Sequence, residues 1–256
     1  MNIFVLMKRT FDTEEKISLD GGEIIEDGAE FIINPYDEYA IEEAISLKEK
    51  HGGEVTVVTL GNEDSQKELR TALAMGCDKA VLINTEDEME SEDEYTTSII
   101  LASYLKEQQC DLIIGGNVAI DGGSGQVCPR VAELLNIACV TTITSIEIHG
   151  NDVELIRDVE GDEEKIQAAL PLVVTAQQGL NEPRYPSLPG IMKAKKKPLE
   201  EIELDDLEIE EEIEAKTKVV ERFLPPEKEG GKILQGESHD QVKELVHLLY
   251  SEAKVL

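Results

Sequence analysis

The sequence predicts an α/β fold, with a mostly parallel sheet flanked by helices, a small antiparallel extension and a C-terminal arm. Three observations predict it. Short apolar runs alternate with segments of helical periodicity over residues 2–136, which is typical of β-α-β units and a parallel sheet. Residues 139–177 hold strand-like runs broken by the turn signals HGND and EGDEE, which predict hairpins. Residues 222–238 have the composition of an extended linker and lead to an amphipathic helix predicted over 239–252.

The strands and helices of the core follow one another from the first residues onward. The predicted strands are the apolar runs NIFVLM (2–7), EVTVVTL (54–60), KAVLIN (79–84) and DLIIGG (111–116). The predicted helices are 36–50, 65–76, 95–108 and 124–136. In the first helix an apolar stripe lies opposite charged residues that include Glu42, and Gly76 closes the second helix. The later run LPLVVTA is predicted to return to the sheet, so we expect a core of residues 1–180.

The composition restricts the classes of protein to which the chain can belong. Its formal net charge of -31 opposes nonspecific binding to nucleic acid and to anionic membranes. No apolar run approaches the roughly 20 residues of a membrane span, and the opening MNIFVLMKRT is typical of a strand rather than a signal peptide, so we expect a cytoplasmic protein. The four cysteines show no CxxC spacing, which favours reduced thiols over a metal site or disulfides.

Ligands of a parallel sheet bind beyond the carboxyl ends of its strands, and three loops of this sequence are expected there. They are MKRT after the first strand, LGNED after the second and GGNVAIDGGSGQ after the fourth. The third is the most informative, because glycines let a backbone approach an anion and the following helix start offers free N–H groups. Ser124 and Gln126 can donate hydrogen bonds to a phosphate. By pattern alone, a phosphate site and a plain turn both remain open.

Residues 34–44, NPYDEYAIEEA, also allow two interpretations. Asn34 can cap the helix that follows, with Pro35 at its first position. Asn34 and the nearby backbone can also face the adenine or ribose of a nucleotide, and the two interpretations are compatible.

A catalytic site is hard to assemble from this sequence. The four histidines lie apart from the loops above, and neither GxSxG nor HExxH occurs. Most carboxylates lie in charged surface runs, where solvation is the simpler interpretation. The sequence therefore favours binding over side-chain catalysis, and we expect no catalytic side chains and no metal site.

Six segments together carry a resemblance to a known family. They are KRT (8–10), NPYDEYAIEEAISLKEK (34–50), RTALAMGCDKA (70–80), DLIIGGNVAIDGGSGQV (111–127), LPLVVTA (170–176) and NEPRYPSLPGIMKAKKKPLE (181–200). On these segments the chain resembles the beta (small) subunits of electron-transfer flavoproteins. The last segment is the most specific, because no general physical pattern requires that string. The resemblance is weaker over residues 200–256.

The resemblance implies an electron carrier in a heterodimer. It implies a Rossmann-like, adenine-nucleotide-binding fold. It also implies that the redox-active FAD is held mainly by the alpha subunit. The beta subunits of the family bury AMP in a structural role. Electrons arrive from acyl-CoA-type dehydrogenases, as in fatty acid oxidation, and leave to a membrane quinone oxidoreductase. The acidic linker and helix of residues 200–256 are expected to dock on the alpha subunit.

The resemblance also implies the nucleotide-binding positions. They map onto Leu6, Asn34, Pro35, Tyr36, Asp37, Leu60, Ala119, Ile120, Asp121, Gly122, Gly123, Ser124, Gly125, Gln126 and Val127. Asn34 is expected to face the adenosine, and residues 124–126 the phosphate. The loop DGGSGQV departs from two family patterns: the mitochondrial type carries a Cys-Asn-Gln-Thr run, and the electron-bifurcating type reads DGDTAQVGP and binds a second FAD in beta. We expect AMP here, with a second FAD and the use of NADH as the alternative.

Residues 181–199 correspond to the family's partner-recognition loop. Its partner-binding positions map onto Leu188, Pro189, Ile191, Met192 and Lys193. The leucine would anchor in a pocket of the dehydrogenase, the prolines would reduce the entropy lost on docking, and the lysines at 193 and 195–197 would steer the encounter. Without the resemblance, a core position for Leu188 and solvated lysines are the simpler interpretation. A stand-alone protein that binds AMP or ATP without FAD is the alternative from another class.

Overall fold

The structure is a computed structural model that describes residues 1–85, 93–209, 213–226 and 230–255. Its strands are β1 (Asn2–Leu6), β2 (Arg9–Phe11), β3 (Leu19–Asp20), β4 (Glu23–Ile24), β5 (Phe31–Ile33), β6 (Glu54–Gly61), β7 (Lys79–Asn84), β8 (Leu112–Gly116), β9 (Ala138–His149), β10 (Asp152–Val159), β11 (Asp162–Ala169), β12 (Leu172–Ala176) and β13 (Leu199–Glu203). Its helices are α1 (Pro35–His51), α2 (Gln66–Met75), α3 (Glu94–Lys106), α4 (Val127–Leu135), α5 (Leu188–Ala194) and α6 (Ser238–Ser251). The strands and helices predicted over residues 2–136 are all present.

The main sheet has nine strands among the described residues, in the order β11-β10-β9-β12-β8-β1-β6-β7-β13. The seven from β9 to β13 in this order run parallel, while β10 pairs antiparallel with both β9 and β11. The central strands are buried because helices cover both faces, which is why their sequences are continuous apolar runs. The predicted α/β fold with an antiparallel extension is confirmed.

Helices α1 and α2 cover one face of the sheet, and α3 and α4 cover the other. On the first face Ile41 of α1 and Leu69 of α2 pack in one cluster with Val5 of β1. On the second face Ile100 of α3 packs in a separate cluster with Phe4 of β1. Both clusters are mainly aliphatic, as expected for a chain with 4% aromatic residues. Burial of these side chains is the main favourable contribution to folding.

The segment of residues 181–198 joins β12 to β13 and runs along α1. Asn181 donates from Nδ2 to a backbone carbonyl near the start of α1 (3.0 Å). Further along, Arg184 forms ion pairs with Glu42 (2.8 Å) and Glu49 (2.8 Å). Glu42, expected on the charged side of the helix, is therefore buried beneath this segment. These contacts hold the segment against the outer side of α1.

Strand β13 differs from the expectation of an acidic linker from residue 200 onward. Its sequence LEEIE holds three glutamates, so its composition is typical of an acidic linker. In the structure it forms a short strand at the edge of the sheet. It pairs in parallel with β7, from Leu199 opposite Ala80 to Glu203 opposite Asn84. Residues 210–212 and 227–229 of the predicted linker lie outside the described residues.

The chain divides into two compact units, the first formed by residues 1–17 and 25–220 and the second by residues 18–24 and 221–256. In the second unit β3 and β4 pair antiparallel, and helix α6 lies where the sequence predicts a helix. The apolar stripe of α6 is exposed among the described residues, at Val242, Leu245 and Val246.

Two further features bear on the expectations from composition. Among the described residues, no helix combines the length and the apolar character that crossing a bilayer requires. All four cysteines are free thiols. Burial raises the pKa of Cys77 to about 12, so this thiol stays protonated at neutral pH.

Candidate functional site

The direction of strand addition reverses at the centre of the sheet. From β1 the chain proceeds to β6 and β7 on one side, and it then crosses to β8 on the other side of β1. Loops that leave neighbouring parallel strands in opposite directions open a crevice at the carboxyl ends of those strands, and ligands bind there. In this chain the crevice lies at the ends of β1 and β8. Two of the three loops expected from the sequence, residues 7–10 and 115–126, begin there.

Asp37, in the first turn of α1, bridges the ends of these two strands. Its carboxylate accepts hydrogen bonds from the backbone N–H of Lys8 (2.7 Å) and of Gly116 (2.9 Å). A Cβ on Gly116 would overlap this carboxylate. Burial raises the pKa of Asp37 to about 7, although the hydrogen bonds from Lys8, Asn34 and Gly116 act in the opposite direction. The carboxyl group that bridges the two strand ends of the crevice therefore titrates near neutral pH.

We expect Asp37 to make the stability of the protein depend on pH between about 4 and about 7. Its pKa is higher in the folded state than in the unfolded state, so the folded state binds the extra proton and the free energy of unfolding falls as the pH rises. The decrease should be on the order of 2 kcal/mol between about pH 5 and about pH 7. Asp37→Asn should lose this slope, which unfolding measured side by side on both proteins will show. Equal slopes would contradict a pKa near 7.

Asn34 holds the loop that follows β8. It occupies the predicted N-cap position of α1, but its side chain makes no capping hydrogen bond. Instead, Nδ2 donates to the backbone O of Val118 (2.9 Å), and Oδ1 accepts from the backbone N–H of Ile120 (3.2 Å). Asn34 is only 1% exposed. The expected cap is replaced by a clamp, because the shielded backbone groups of the loop require partners.

Two glycines give the loop between β8 and α4 its path. Gly123 and Gly125 have φ values of 66° and 61°, in the left-handed region that favours glycine. A Cβ on Gly125 would lie 3.0 Å from the backbone O of Asn117. Helix α4 begins directly after this loop at Val127, without a side-chain cap. The N–H groups of its first turn therefore remain for a ligand.

Two cations lie beside this loop that are not among the expected nucleotide positions. Lys8 forms an ion pair with Asp121 (2.7 Å). Arg130, in α4, donates from Nη2 to Gln126 Oε1 (2.9 Å). An anion at the loop would thus meet the positive end of a helix together with Lys8 and Arg130. The four-residue spacing from Gln126 to Arg130 on one helix is the sequence signal that could have identified this arginine.

The remaining expected nucleotide positions surround the same crevice. Leu6 ends β1 and is buried, whereas Leu60 lies near the end of the neighbouring β6 and is half-buried. Pro35 and Tyr36 begin α1 beside Asn34. The loop contributes Ala119, Ile120, Asp121, Gly122, Ser124 and Gln126, and most of these residues are exposed. The ends of β1 and β8 and the start of α1 therefore converge, with Leu60 one strand further along.

The expected partner-binding residues lie at another place, on α5. This helix contains Leu188, Pro189, Ile191, Met192 and Lys193. Leu188 is 79% exposed and Met192 is 74% exposed, so Leu188 does not pack in the core. The neighbour of α5 is the C-terminal half of α2, where a Cβ on Gly190 would overlap the backbone O of Ala74. Because α2 ends just before the amino end of β7, α5 lies near the amino ends of the parallel strands, whereas the crevice lies at their carboxyl ends.

One of the four lysines expected to steer partners has a structural role instead. Lys197 is half-buried, and its Nζ donates to the backbone O of Leu73 (2.9 Å) and of Cys77. It thus satisfies carbonyl groups at the C-terminal end of α2, and burial lowers its pKa. The other three lysines, at 193, 195 and 196, are exposed.

Comparison with known proteins decides the family. The family described as "Electron transfer flavoprotein domain" matches residues 21–207. An electron transfer flavoprotein subunit beta of Bacillus subtilis (strain 168) is 71% identical over 257 residues, which cover the whole of both chains. The chain belongs to the electron transfer flavoprotein family.

Two further relatives are more distant. The subunit beta of Syntrophomonas wolfei is 39% identical over 256 residues, which cover 100% of this chain and 98% of that one. A caffeyl-CoA reductase-Etf complex subunit, CarD of Acetobacterium woodii, is 34% identical over 249 residues, which cover 94% and 95%. The predicted membership is confirmed. Electron transfer flavoproteins carry electrons in flavin-containing complexes, in which beta subunits generally pair with alpha subunits.

Proposed function

We propose that this chain is a beta subunit that pairs with an FAD-holding alpha subunit, accepts electrons from acyl-CoA-type dehydrogenases and passes them towards a membrane quinone oxidoreductase. The observation that carries the proposal is the glycine-lined crevice at the ends of β1 and β8, in a chain 71% identical throughout its length to a named beta subunit. The chain is a carrier and not an enzyme, and it works in the cytoplasm. Its own ligand at the crevice is AMP.

The residues of the crevice fit a nucleotide with one phosphate. The phosphate would be held by backbone N–H groups of residues 124–126 and of the first turn of α4, with Lys8 and Arg130 as the nearby cations. Gly125 leaves open the space that a Cβ would fill. The adenosine would lie against the backbone of residues 34–37 and the apolar strand ends at Leu6 and Leu60. The clamps made by Asn34 and Asp37 position the loop for this ligand.

The redox chemistry belongs to the FAD of the complex, which supplies one- and two-electron transfer when bound. The chain's own residues bind and position. Cys128 illustrates this role, because it packs beneath the loop, where a Cβ on Gly115 would overlap its Sγ. Burial raises the pKa of Cys128, so the residue stays a thiol and fills space rather than acting as a nucleophile.

The alternative is a second FAD in this subunit, with NADH as the electron donor. The outer end of the loop favours it, because residues 121–124 are exposed and leave room for a larger ligand. One relative, 34% identical, is named as a subunit of a caffeyl-CoA reductase-Etf complex.

Mass spectrometry of the nucleotides released from the purified alpha–beta complex separates these possibilities. We expect AMP and FAD in equal amounts. FAD at twice the amount of the complex, without AMP, would contradict the AMP assignment and support the second-FAD alternative. A chain that purifies without an alpha subunit and carries AMP or ATP without FAD would indicate a stand-alone nucleotide-binding protein.

Two surfaces complete the proposal. Residues 181–199 present Leu188 to the dehydrogenase, with the exposed lysines of α5 and its C-terminal end to steer the encounter. The arm that follows β13 docks on the alpha subunit. Its support is the exposed apolar stripe of α6, because an amphipathic helix whose apolar side is open to solvent is suited to binding another protein.

A further inference from the structure

A groove with a volume of about 410 Å³ lies between α2 and α5. Its lining comes from Arg70, Thr71 and Ala74 of α2, and from Pro186, Ile191 and Lys195 on the opposite wall. The walls are mostly aliphatic, with a cation on each side. Neither the AMP site nor the insertion of Leu188 into a partner uses this groove. Its volume lies within the range of sites that bind small molecules or side chains.

Both walls of the groove are held by reciprocal contacts. Arg70 donates from Nη1 to the backbone O of Ala194 (2.8 Å) and of Lys197 (2.9 Å), at the end of α5. Lys197 in turn binds backbone carbonyls at the end of α2. Each helix end is therefore satisfied by a cation that comes from the other wall. The groove is formed in advance, so an occupant would lose little free energy in ordering it.

The lining of the groove holds two cations, Arg70 and Lys195, and no acidic residue, in a chain whose net charge is -31. Lys67, Arg70, Thr71 and Ala74 lie at positions i, i+3, i+4 and i+7 of α2 and so share one side of that helix. Lys67 pairs with Glu68 (3.7 Å) and does not line the groove, so Arg70 is the cation that α2 contributes to it. The opposite wall adds Lys195. An occupant with an apolar side chain beside a carboxylate would match both the aliphatic walls and the cations.

We propose that this groove receives an apolar side chain flanked by a carboxylate from the dehydrogenase, while Leu188 inserts into the dehydrogenase, so that the docking is reciprocal. The inference rests on the proposed function, which supplies the occupant. Its support is continuity, because Ile191 lines the groove on the same short helix that exposes Leu188 and Met192. A partner that covers Leu188 would also cover the mouth of the groove.

Two variants of the full alpha–beta complex test the groove without touching Leu188. Thr71→Phe fills it from the α2 wall, and Lys195→Gln removes a cation from its lining. Lys196→Gln is the matched control, because Lys196 is exposed in the same lysine run and does not line the groove. The measurement is the KM of an acyl-CoA dehydrogenase, reduced by its acyl-CoA substrate, for the complex as electron acceptor. We expect a rise of about tenfold for Thr71→Phe, and a larger rise for Lys195→Gln than for Lys196→Gln.

The outcomes separate the groove from the proposed function. If Leu188→Ala raises the KM but Thr71→Phe and Lys195→Gln do not, the groove is empty in the docked complex and the inference is wrong, while the docking face stands. If Leu188→Ala also has no effect, the docking face itself is wrong. A change of oligomeric state in Thr71→Phe with an unchanged KM would assign the groove to a second copy of the chain and overturn the inference. Lys195 is exposed, so its variant remains informative even if Thr71→Phe fails to fold.

Discussion

Replacement of Gly125 by valine should remove most of the AMP from the purified complex. Gly125 has a φ of 61°, where a residue with a Cβ costs about 1–2 kcal/mol and a β-branched side chain costs more. The new Cβ would also lie 3.0 Å from the backbone O of Asn117. Both effects force the loop off its path and would displace the N–H groups that we propose hold the phosphate. We expect at least a tenfold loss of AMP affinity, which corresponds to about 1.4 kcal/mol.

Gly150→Val is the matched control for this prediction. Gly150 has a similar φ of 67° but lies in the turn between β9 and β10, outside the loop, and a Cβ there would meet nothing within 4 Å. The AMP content of this variant should equal that of the parent. AMP released per complex is measured by mass spectrometry, and the unfolding midpoint checks the fold. If Gly125→Val keeps its AMP, the phosphate lies elsewhere than in residues 124–126.

The core of this fold could be predicted because burial on both sides of a parallel sheet requires continuous apolar strands. The run NIFVLM is buried from Ile3 to Met7, and its short length favours a strand over a buried helix. The helices between these strands were visible for a related reason, because each covers the sheet with one apolar side. The pattern of apolar residues in these strands and helices therefore predicted which of their surfaces are buried.

Strand β13 could not be predicted in the same way, because it lies at the edge of the sheet. An edge strand has one open side and tolerates charge. The sequence LEEIE thus satisfies the pairing with β7 while its composition resembles a linker. Only the position of β7, more than a hundred residues earlier in the chain, shows that Leu199 and Ile202 have a sheet to join.

The candidate site shows the same division between local and tertiary information. Gly125 could be singled out because a glycine-rich loop before a helix is a local pattern. The partners of Asp37 and Asn34 could not, because Asp37 accepts from Gly116, which lies 79 residues away in the chain. The sequence suggested a cap for Asn34, which is the nearest use of its amide. In the fold, the amide of Asn34 instead forms hydrogen bonds with the backbone of a distant loop, because shielded backbone groups require partners.

Leu188→Ala should reduce electron transfer from the dehydrogenase more than any other single change on the docking face. Leu188 is 79% exposed in the free chain, so its burial in a partner would remove nearly the whole side chain from water. That burial is worth about 1–3 kcal/mol, and its loss raises the KM of the dehydrogenase for the complex about 5- to 150-fold. AMP and FAD contents should not change, because α5 and the crevice lie at opposite ends of the parallel strands.

Leu134→Ala provides the control for the loss of an exposed leucine. Leu134 is 46% exposed and belongs to α4, on the face of the sheet opposite to α2 and α5, so its removal should leave the KM of the dehydrogenase unchanged. An unaltered KM in Leu188→Ala would reject the anchor. Salt then distinguishes the leucine from the lysines around it. Exposed charges act mainly on the association rate, and salt screens them. Salt does not screen the burial of an apolar side chain. The effect of Leu188→Ala should therefore persist at high ionic strength, whereas the effects of the lysine variants should fade.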